Sequence, residues 1–144
     1  MENIERILKE ELGFTLIEVM ITTVIMSIAL VAILSANAAM AQSSEVLFQR
    51  TVAIQNANQV FERMRNTAIS GTFPGNVTTA YPHNGTVSGF AALTNEVVRV
   101  TYADRNGDGN ALTDNPLDAT VTVTWSDNNK RSATSSLRSL VTQR

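Results

Sequence analysis

The sequence predicts an α+β protein in which one long amino-terminal α-helix packs against a small antiparallel β-sheet of three to four strands. Two observations lead to this prediction. An apolar run at residues 14–34 continues, without glycine or proline, into a segment that reaches Ser70. Beyond that segment, Ala and Met give way to Thr, Val, Asn and Gly, a composition typical of strands and turns. A chain of 144 residues is long enough for one such domain.

The first 13 residues form a short polar leader ahead of the apolar run. The leader holds four of the 13 acidic and two of the 11 basic residues, so residues 14–144 carry nine of each. A formally neutral domain offers no basic surface, and no nucleic-acid partner is expected. The chain has no cysteine, which excludes disulfides, thiolate metal sites and a cysteine nucleophile.

The apolar run has the length of a membrane-spanning helix. Its 21 residues contain a single charge, Glu18, and a helix of this length spans the hydrocarbon core of about 30 Å. Arg6 and Lys9 precede the run and the next basic residue is Arg50, so the leader is expected in the cytoplasm and everything after about Ser43 outside it. A carboxylate in hydrocarbon costs roughly 2.5–3.5 kcal/mol, so Glu18 needs a compensating partner.

The residues alone are compatible with more than one outcome of processing for this segment. The triplets Ala36-Asn37-Ala38 and Ala39-Met40-Ala41 fit the small-x-small pattern of a signal peptidase site. Cleavage near Ala38 or Ala41 would release a secreted or periplasmic binding or adhesion domain. However, the apolar run exceeds the usual signal core of about 7–15 residues, and a secretory signal gives no reason to retain Glu18. An uncleaved anchor would leave Glu18 as an incidental polar residue near the interface.

A third outcome of processing is implied by a resemblance to a known family. Residues Gly13-Phe14-Thr15-Leu16-Ile17-Glu18-Val19-Met20 open the apolar run directly after the leader. They closely resemble the processing signal of type IV prepilins and type II secretion pseudopilins, although the leader is more acidic than is usual in that family. The resemblance implies that a membrane prepilin peptidase cleaves after Gly13 and methylates the new amino terminus at Phe14. The apolar helix is then retained.

The resemblance also implies a function for Glu18. In a filament whose subunits pack through their apolar helices, the positive amino terminus at Phe14 of a neighbouring subunit can compensate the Glu18 carboxylate and set the axial register. The implied protein is a structural subunit and not an enzyme. Its implied partners are other pilin or pseudopilin subunits, the prepilin peptidase, the inner-membrane assembly platform and membrane lipid. It would occupy the bacterial inner membrane and then a periplasmic or extracellular filament.

The helical pattern continues beyond the membrane segment. Between Glu45 and Ala68, apolar residues recur at spacings of 7, 3, 4, 3 and 4, which places them on one helical face that we expect to contact the core. Ser70 and Gly71, with Pro74 shortly after, predict the end of the helix. The predicted core-facing stripe consists of Leu47, Ile54, Ala57, Phe61, Met64 and Ala68.

The remaining residues are predicted to form the sheet. Residues 72–89 are rich in Pro, Gly and Asn and predict a long loop with at most short strand pieces. In the run 119–126, Val121, Val123 and Trp125 alternate with threonines, so one face should be buried against the helix. Strands are predicted at 96–103, 119–126 and 131–140, with a turn at 127–130.

These predictions divide the chain into four segments. They are a cleaved leader (1–13), a transmembrane or filament-core helix (14–35), its amphipathic continuation (36–70) and a sheet headgroup (71–144). The ending VTVTWSDNNKRSATSSLRSLVTQR, together with FERMRN near the helix end, resembles PilV-type minor pilins and the related minor pseudopilins. This second resemblance favours a low-abundance subunit.

One headgroup segment has the spacing of a cation-binding loop. Residues 104–110 read DRNGDGN and match the D-x-[DN]-x-[DN]-G start of a calcium loop, in which alternate oxygens converge around a glycine turn. Counted from Asp104, the twelfth residue is Asn115 and not Glu, which departs from an EF-hand; Asp114 or Asp118 could supply a further ligand. The alternative is an ordinary connection rich in turn residues. The candidate Ca²⁺ ligands are Asp104, Asn106, Asp108, Asn110 and Asp114.

No set of catalytic residues stands out. His83 is the only histidine, lies beside Pro82 in a loop, and has no evident nucleophile or metal partner in the sequence. The sequence also has no Gly-rich phosphate loop with its lysine. The second functional hypothesis is surface adhesion or DNA capture by the loops, which exposed Tyr81 and Phe90 with a few arginines would have to carry, although a neutral domain offers DNA little electrostatic attraction.

Overall fold

A computed structural model describes residues 14–127 and 131–143 of the chain. The predicted α+β class, with one long helix and a small antiparallel sheet, is confirmed. The chain divides into two compact units, Met1–Ser43 and Ser44–Arg144. The described elements are α1 (Leu16–Ile69), α2 (Gly75–Ala80), β1 (Thr86–Val87), β2 (Val97–Ala103), β3 (Leu117–Ser126) and β4 (Ser132–Val141).

The first unit contains the apolar part of α1. All of its described side chains are exposed within the chain, and its most apolar 18-residue window has a mean hydropathy of 2.5. By length and composition, α1 is the one helix among the described residues that could cross a membrane. The helix begins at Leu16 because Thr15 caps it: the Glu18 N–H donates to the Thr15 carbonyl at 3.0 Å and to its Oγ1 at 3.3 Å.

The second unit contains the sheet, whose strand order is β1-β2-β3-β4 with every neighbouring pair antiparallel. The three predicted strands are confirmed to within two residues at each end. In β3, Val121 and Val123 are fully buried and Trp125 is 3% exposed, whereas the intervening threonines are half-buried. The predicted alternation is therefore confirmed. Residues 128–130 of the predicted turn before β4 lie outside the described residues.

The face of α1 that enters the core differs from the predicted stripe in its first turns. Leu47 and Ile54 are 63% and 45% exposed, so their assignment to the core was wrong. Gln49 and Ala53 are buried instead. Gln49 is accommodated there because the Trp125 Nε1–H donates to its Oε1 at 3.0 Å, and a buried indole needs such an acceptor. The buried residues of α1 are Gln49, Ala53, Ala57, Val60, Phe61, Met64 and Ala68.

The connection from α1 to the sheet contains a helix that was not predicted. As expected from Ser70 and Gly71, α1 ends at Ile69. Helix α2 then follows Pro74, a residue that sequence patterns mark as a breaker but that is well tolerated at a helix start. Val77 of α2 is fully buried in the core, so tertiary burial stabilises a segment whose composition predicts a loop.

Candidate functional site

The polar residues in the apolar part of α1 are largely satisfied inside the helix. The hydroxyls of Thr22, Ser27 and Ser35 each donate to the carbonyl four residues earlier, at 2.7–2.9 Å. Thr23 donates to the Met20 carbonyl at 2.9 Å. Because unpaired donors are costly in hydrocarbon, these bonds make the four hydroxyls compatible with a lipid surrounding.

Glu18 is the exception in this segment. It lies in the first turn of α1, and no described residue pairs with its carboxylate. Ile17, Met20 and Ile21 surround it with exposed apolar surface. In a medium of low dielectric constant a lone carboxylate is strongly unfavourable, and an opposite charge beside it would offset that cost.

The predicted processing position lies shortly before Glu18 in the sequence, at the bond between Gly13 and Phe14. Phe14 is 78% exposed and precedes α1 by two residues. The predicted leader, residues 1–13, lies outside the described residues and includes Gly13.

The second candidate site is the loop between β2 and β3, which Asp104 organises. Its two carboxylate oxygens accept hydrogen bonds from the backbone N–H groups of Gly107 and Gly109, both at 2.7 Å. The two glycines have φ angles of 79° and 86°, a left-handed conformation that other residues rarely adopt. The glycines therefore allow the chain to curl around the Asp104 side chain.

The other side chains predicted as ligands lie in the same turn. Asn106 Oδ1 accepts from the Asp108 N–H at 2.9 Å, and Asp108 Oδ1 accepts from the Asn110 N–H at 2.7 Å. Asn110 Oδ1 in turn accepts from the Leu112 N–H at 3.2 Å. These repeated side-chain-to-backbone bonds fix the conformation of the turn and the positions of its oxygen-bearing side chains.

Asp114 folds back onto this turn from the other end of the loop. Its Oδ2 accepts from the Arg105 N–H at 2.7 Å, and its side chain is buried, with the residue 3% exposed. Its Oδ1 is also buried and has no hydrogen-bond partner among the described residues. Carboxylate oxygens of Asp104, Asp108 and Asp114 lie within 4.8 Å of one another.

Asp118, the other candidate for a further ligand, is engaged in the sheet instead. The Arg138 guanidinium of β4 donates to both of its oxygens, from Nε at 2.7 Å and from Nη2 at 2.5 Å. The hydrogen bonds to Arg138 hold the pKa of the Asp118 carboxyl below its ordinary value, and the same pair raises the pKa of Arg138. Asp118 therefore joins β3 to β4 and does not turn toward the loop.

We expect Asp118→Asn to destabilise the headgroup in a pH-dependent way. The folded-state pKa of Asp118 lies below its unfolded value of about 3.9, so the pair contributes stability above that value and loses it as pH falls through the folded pKa. The difference in Tm between wild type and variant should be constant from about pH 5 to 8 and shrink below about pH 4. Thermal melts followed by the fluorescence of Trp125, the single tryptophan, measure it.

Glu62→Gln is the control for this titration, since Glu62 pairs with Arg65 on the exposed surface of α1. Its effect on Tm should be small at every pH, because an exposed pair contributes little. If the Tm difference for Asp118→Asn stays the same or grows at acid pH, the stabilising role of the Asp118–Arg138 pair is contradicted.

His83 and the two aromatic residues considered for adhesion have structural contacts. His83 Nδ1 accepts from the Tyr102 N–H at 3.1 Å, and the Tyr102 hydroxyl donates to the Tyr81 carbonyl at 2.7 Å. Burial is the main cause that raises the pKa of Tyr102. Tyr81 and Phe90 are half-buried against the core, and the Arg63 guanidinium lies 4.9 Å from the Phe90 ring centroid. Tyr81 and Phe90 are thus less exposed than expected, and a role of these residues in adhesion stays a prediction.

Comparison with known proteins addresses the amino-terminal segment. Residues 8–34 match the family model described as the prokaryotic N-terminal methylation motif, over 27 of the 144 residues. The chain thus carries a prepilin-type signal. No curated protein and no solved structure matches the chain significantly.

The matched segment contains Gly13, Phe14 and Glu18 together with most of the apolar part of α1. A prepilin-type signal followed by a long apolar helix is the arrangement of a type IV pilin-like subunit anchored in the inner membrane. Such a signal implies contact with other pilin subunits and with the prepilin peptidase.

Proposed function

We propose that this protein is a minor pilin or minor pseudopilin, a structural subunit of a type IV pilus-like filament that is processed after Gly13 and assembles through α1. The observation that carries the proposal is Glu18, a carboxylate that no described residue pairs with, which lies inside the matched prepilin-type signal and in the apolar part of α1. The minor class is favoured by the resemblance of the carboxy-terminal sequence to PilV-type subunits.

Cleavage after Gly13 would supply the positive group that Glu18 lacks. Phe14 would become the first residue of the mature chain and Glu18 the fifth. The amine of Phe14 keeps its positive charge after a single methylation. When the α1 helices of two subunits pack side by side, the amine of one can meet the carboxylate of the other, and only a register that joins them avoids a buried unpaired charge.

The exposed apolar side chains of α1 fit membrane insertion followed by assembly into a filament. Residues 14–34 present large hydrophobic side chains on all faces of the helix. Lipid would cover them before assembly, and the α1 helices of other subunits would cover them in the filament. The inner-membrane assembly platform would act on this membrane-held form.

The release of a secreted binding domain is the competing function. It requires cleavage near Ala38 or Ala41, and both residues lie inside the regular helix α1. Such cleavage would discard Glu18 and the whole matched segment at residues 8–34. Retention of the helix explains why the chain has both Glu18 and the matched segment, and so we favour the filament subunit.

Intact mass and amino-terminal sequencing of the protein from its native membranes test the proposal. We expect a chain that begins at Phe14 and is heavier by one methyl group. The control is the same protein expressed without a prepilin peptidase, which should keep its leader and lack the added methyl group. A mature chain that begins near Ala39 or Gln42, or that keeps its leader beside an active prepilin peptidase, would contradict the proposal.

A further inference from the structure

We propose that the loop between β2 and β3 is a Ca²⁺ site built from Asp104, Asn106, Asp108, Asn110 and Asp114, in which buried Asp114 takes the place of the glutamate that closes an EF-hand loop. The site is independent of the assembly proposal. It is formed entirely within the second compact unit of the chain.

The strongest support is the Oδ1 atom of Asp114. This oxygen is buried without a hydrogen-bond partner among the described residues, although its Oδ2 accepts from the Arg105 N–H. Buried polar atoms are nearly always paired, and an unpaired carboxylate oxygen is among the least favourable atoms to bury. A cation bound at Oδ1 would remove this penalty.

Two further carboxylates face Asp114, those of Asp104 and Asp108, whose oxygens accept hydrogen bonds from N–H groups of the loop. Oxygens of Asp104 and Asp108 lie within 4.8 Å of an Asp114 oxygen, so three carboxylates converge. Within the described residues, neither ion pair includes any of the three. Like charges at this distance repel, and a divalent cation between them converts the repulsion into attraction.

The chemistry of the donors selects Ca²⁺. The site offers carboxylate and amide oxygens, the hard donors that Ca²⁺ prefers, and the chain has no cysteine for a softer metal. Ca²⁺ accepts about six to eight oxygens in flexible geometry, so five side chains with added water suffice, whereas Mg²⁺ demands a stricter octahedron. A cavity of about 210 Å³ lined by Arg105, Asn106, Asp114, Asn115 and Pro116 gives solvent access to the Asp114 side of the loop.

Binding at this loop would stabilise the central strand pair. Asp104 directly follows Ala103, the last residue of β2, and Asp114 lies three residues before Leu117, the first residue of β3. A cation that holds both aspartates therefore closes the connection between two paired strands. A ligand that binds only the folded state raises Tm in proportion to the logarithm of its concentration above Kd.

Calorimetry on the full chain in detergent micelles, stripped of metal with EGTA, tests the site. We expect saturable binding of one Ca²⁺ per chain, with an accompanying rise in Tm reported by Trp125 fluorescence, and weaker binding of Mg²⁺. Asp108→Asn, at an exposed position, should weaken Ca²⁺ binding at least about tenfold by removing one ligand charge. Glu62→Gln, a charge change on exposed α1 surface, should bind Ca²⁺ like the wild type.

The variant Asp114→Asn tests whether Asp114 is a metal ligand or only stabilises the fold. Asparagine keeps an oxygen for the Arg105 N–H and removes the repulsion from Asp104 and Asp108. In EGTA we therefore expect a Tm no lower than that of the wild type, and in Ca²⁺ a lower one. Absence of saturable Ca²⁺ binding at millimolar concentration, unchanged affinity in Asp114→Asn, or an equal loss of Tm in EGTA and in Ca²⁺ would each overturn the proposal.

Discussion

Glu18→Ala is expected to lower incorporation of the protein into filaments at least about tenfold while its amount in the membrane stays the same. Removal of one partner from a buried ion pair costs about 3–5 kcal/mol, because the other charge is left unpaired. Here the charge left behind would be the amino terminus of a neighbouring Phe14. Membrane retention should not suffer, because alanine makes the helix more apolar.

The measurement is the ratio of subunit in sheared filaments to subunit in membranes, with the mature mass determined in both fractions. The mass matters because a variant that escapes cleavage would fail to assemble for another reason. Thr22→Ala is the matched control: Thr22 lies one turn further along α1, and its hydroxyl bonds only to backbone carbonyls of its own helix. Normal incorporation of processed Glu18→Ala would mean that assembly does not need the carboxylate, contrary to the proposal.

Phe61→Ala should destabilise the headgroup by about 3–5 kcal/mol, the usual cost of truncating a buried phenylalanine. Phe61 is 2% exposed and lies among the core residues that α1 and the sheet share. Domains of this size are stable by about 5–15 kcal/mol, so the change removes a large fraction of the total. Urea denaturation in micelles, followed by Trp125 fluorescence, measures the shift in midpoint.

Phe48→Ala is the control for Phe61→Ala, because the same truncation is made on the same helix at a side chain that is 64% exposed in the isolated chain. Its effect on headgroup stability should stay within about 0.5 kcal/mol. Equal effects of the two variants would contradict the assignment of the buried face. A filament defect in Phe48→Ala without loss of stability would identify Phe48 as a subunit contact.

The elements that were predicted correctly are those whose signal is local. The absence of glycine and proline over residues 14–70 indicates a continuous helix, and the alternation of Val121, Val123 and Trp125 with threonines indicates a strand with one buried face. Both patterns follow from the geometry of the chain over a few residues, so they are readable without knowledge of distant partners.

The wrong predictions concern segments whose structure or burial depends on residues distant in the sequence. Periodicity selected Leu47 and Ile54 because they are apolar, but Gln49 is accommodated on the buried face because Trp125, far away in sequence, needs an acceptor for its indole N–H. Helix α2 was missed for a similar reason. Its composition marks a loop, and it is the burial of Val77 in the core that favours a helix there.

For the functional residues, the sequence alone established the prepilin-type signal and the isolated charge at Glu18, because both are patterns of neighbouring residues. It also placed Asp104, Asn106, Asp108 and Asn110 at a ligand-like spacing and named Asp114 as the further candidate ligand, with Asp118 as the alternative. Only the tertiary structure separated those two: pairing of β3 with β4 brings Arg138 to Asp118, while the loop turns Asp114 inward with one oxygen unpaired. The choice between two aspartates four residues apart depends on contacts made across the sheet, which no local pattern encodes.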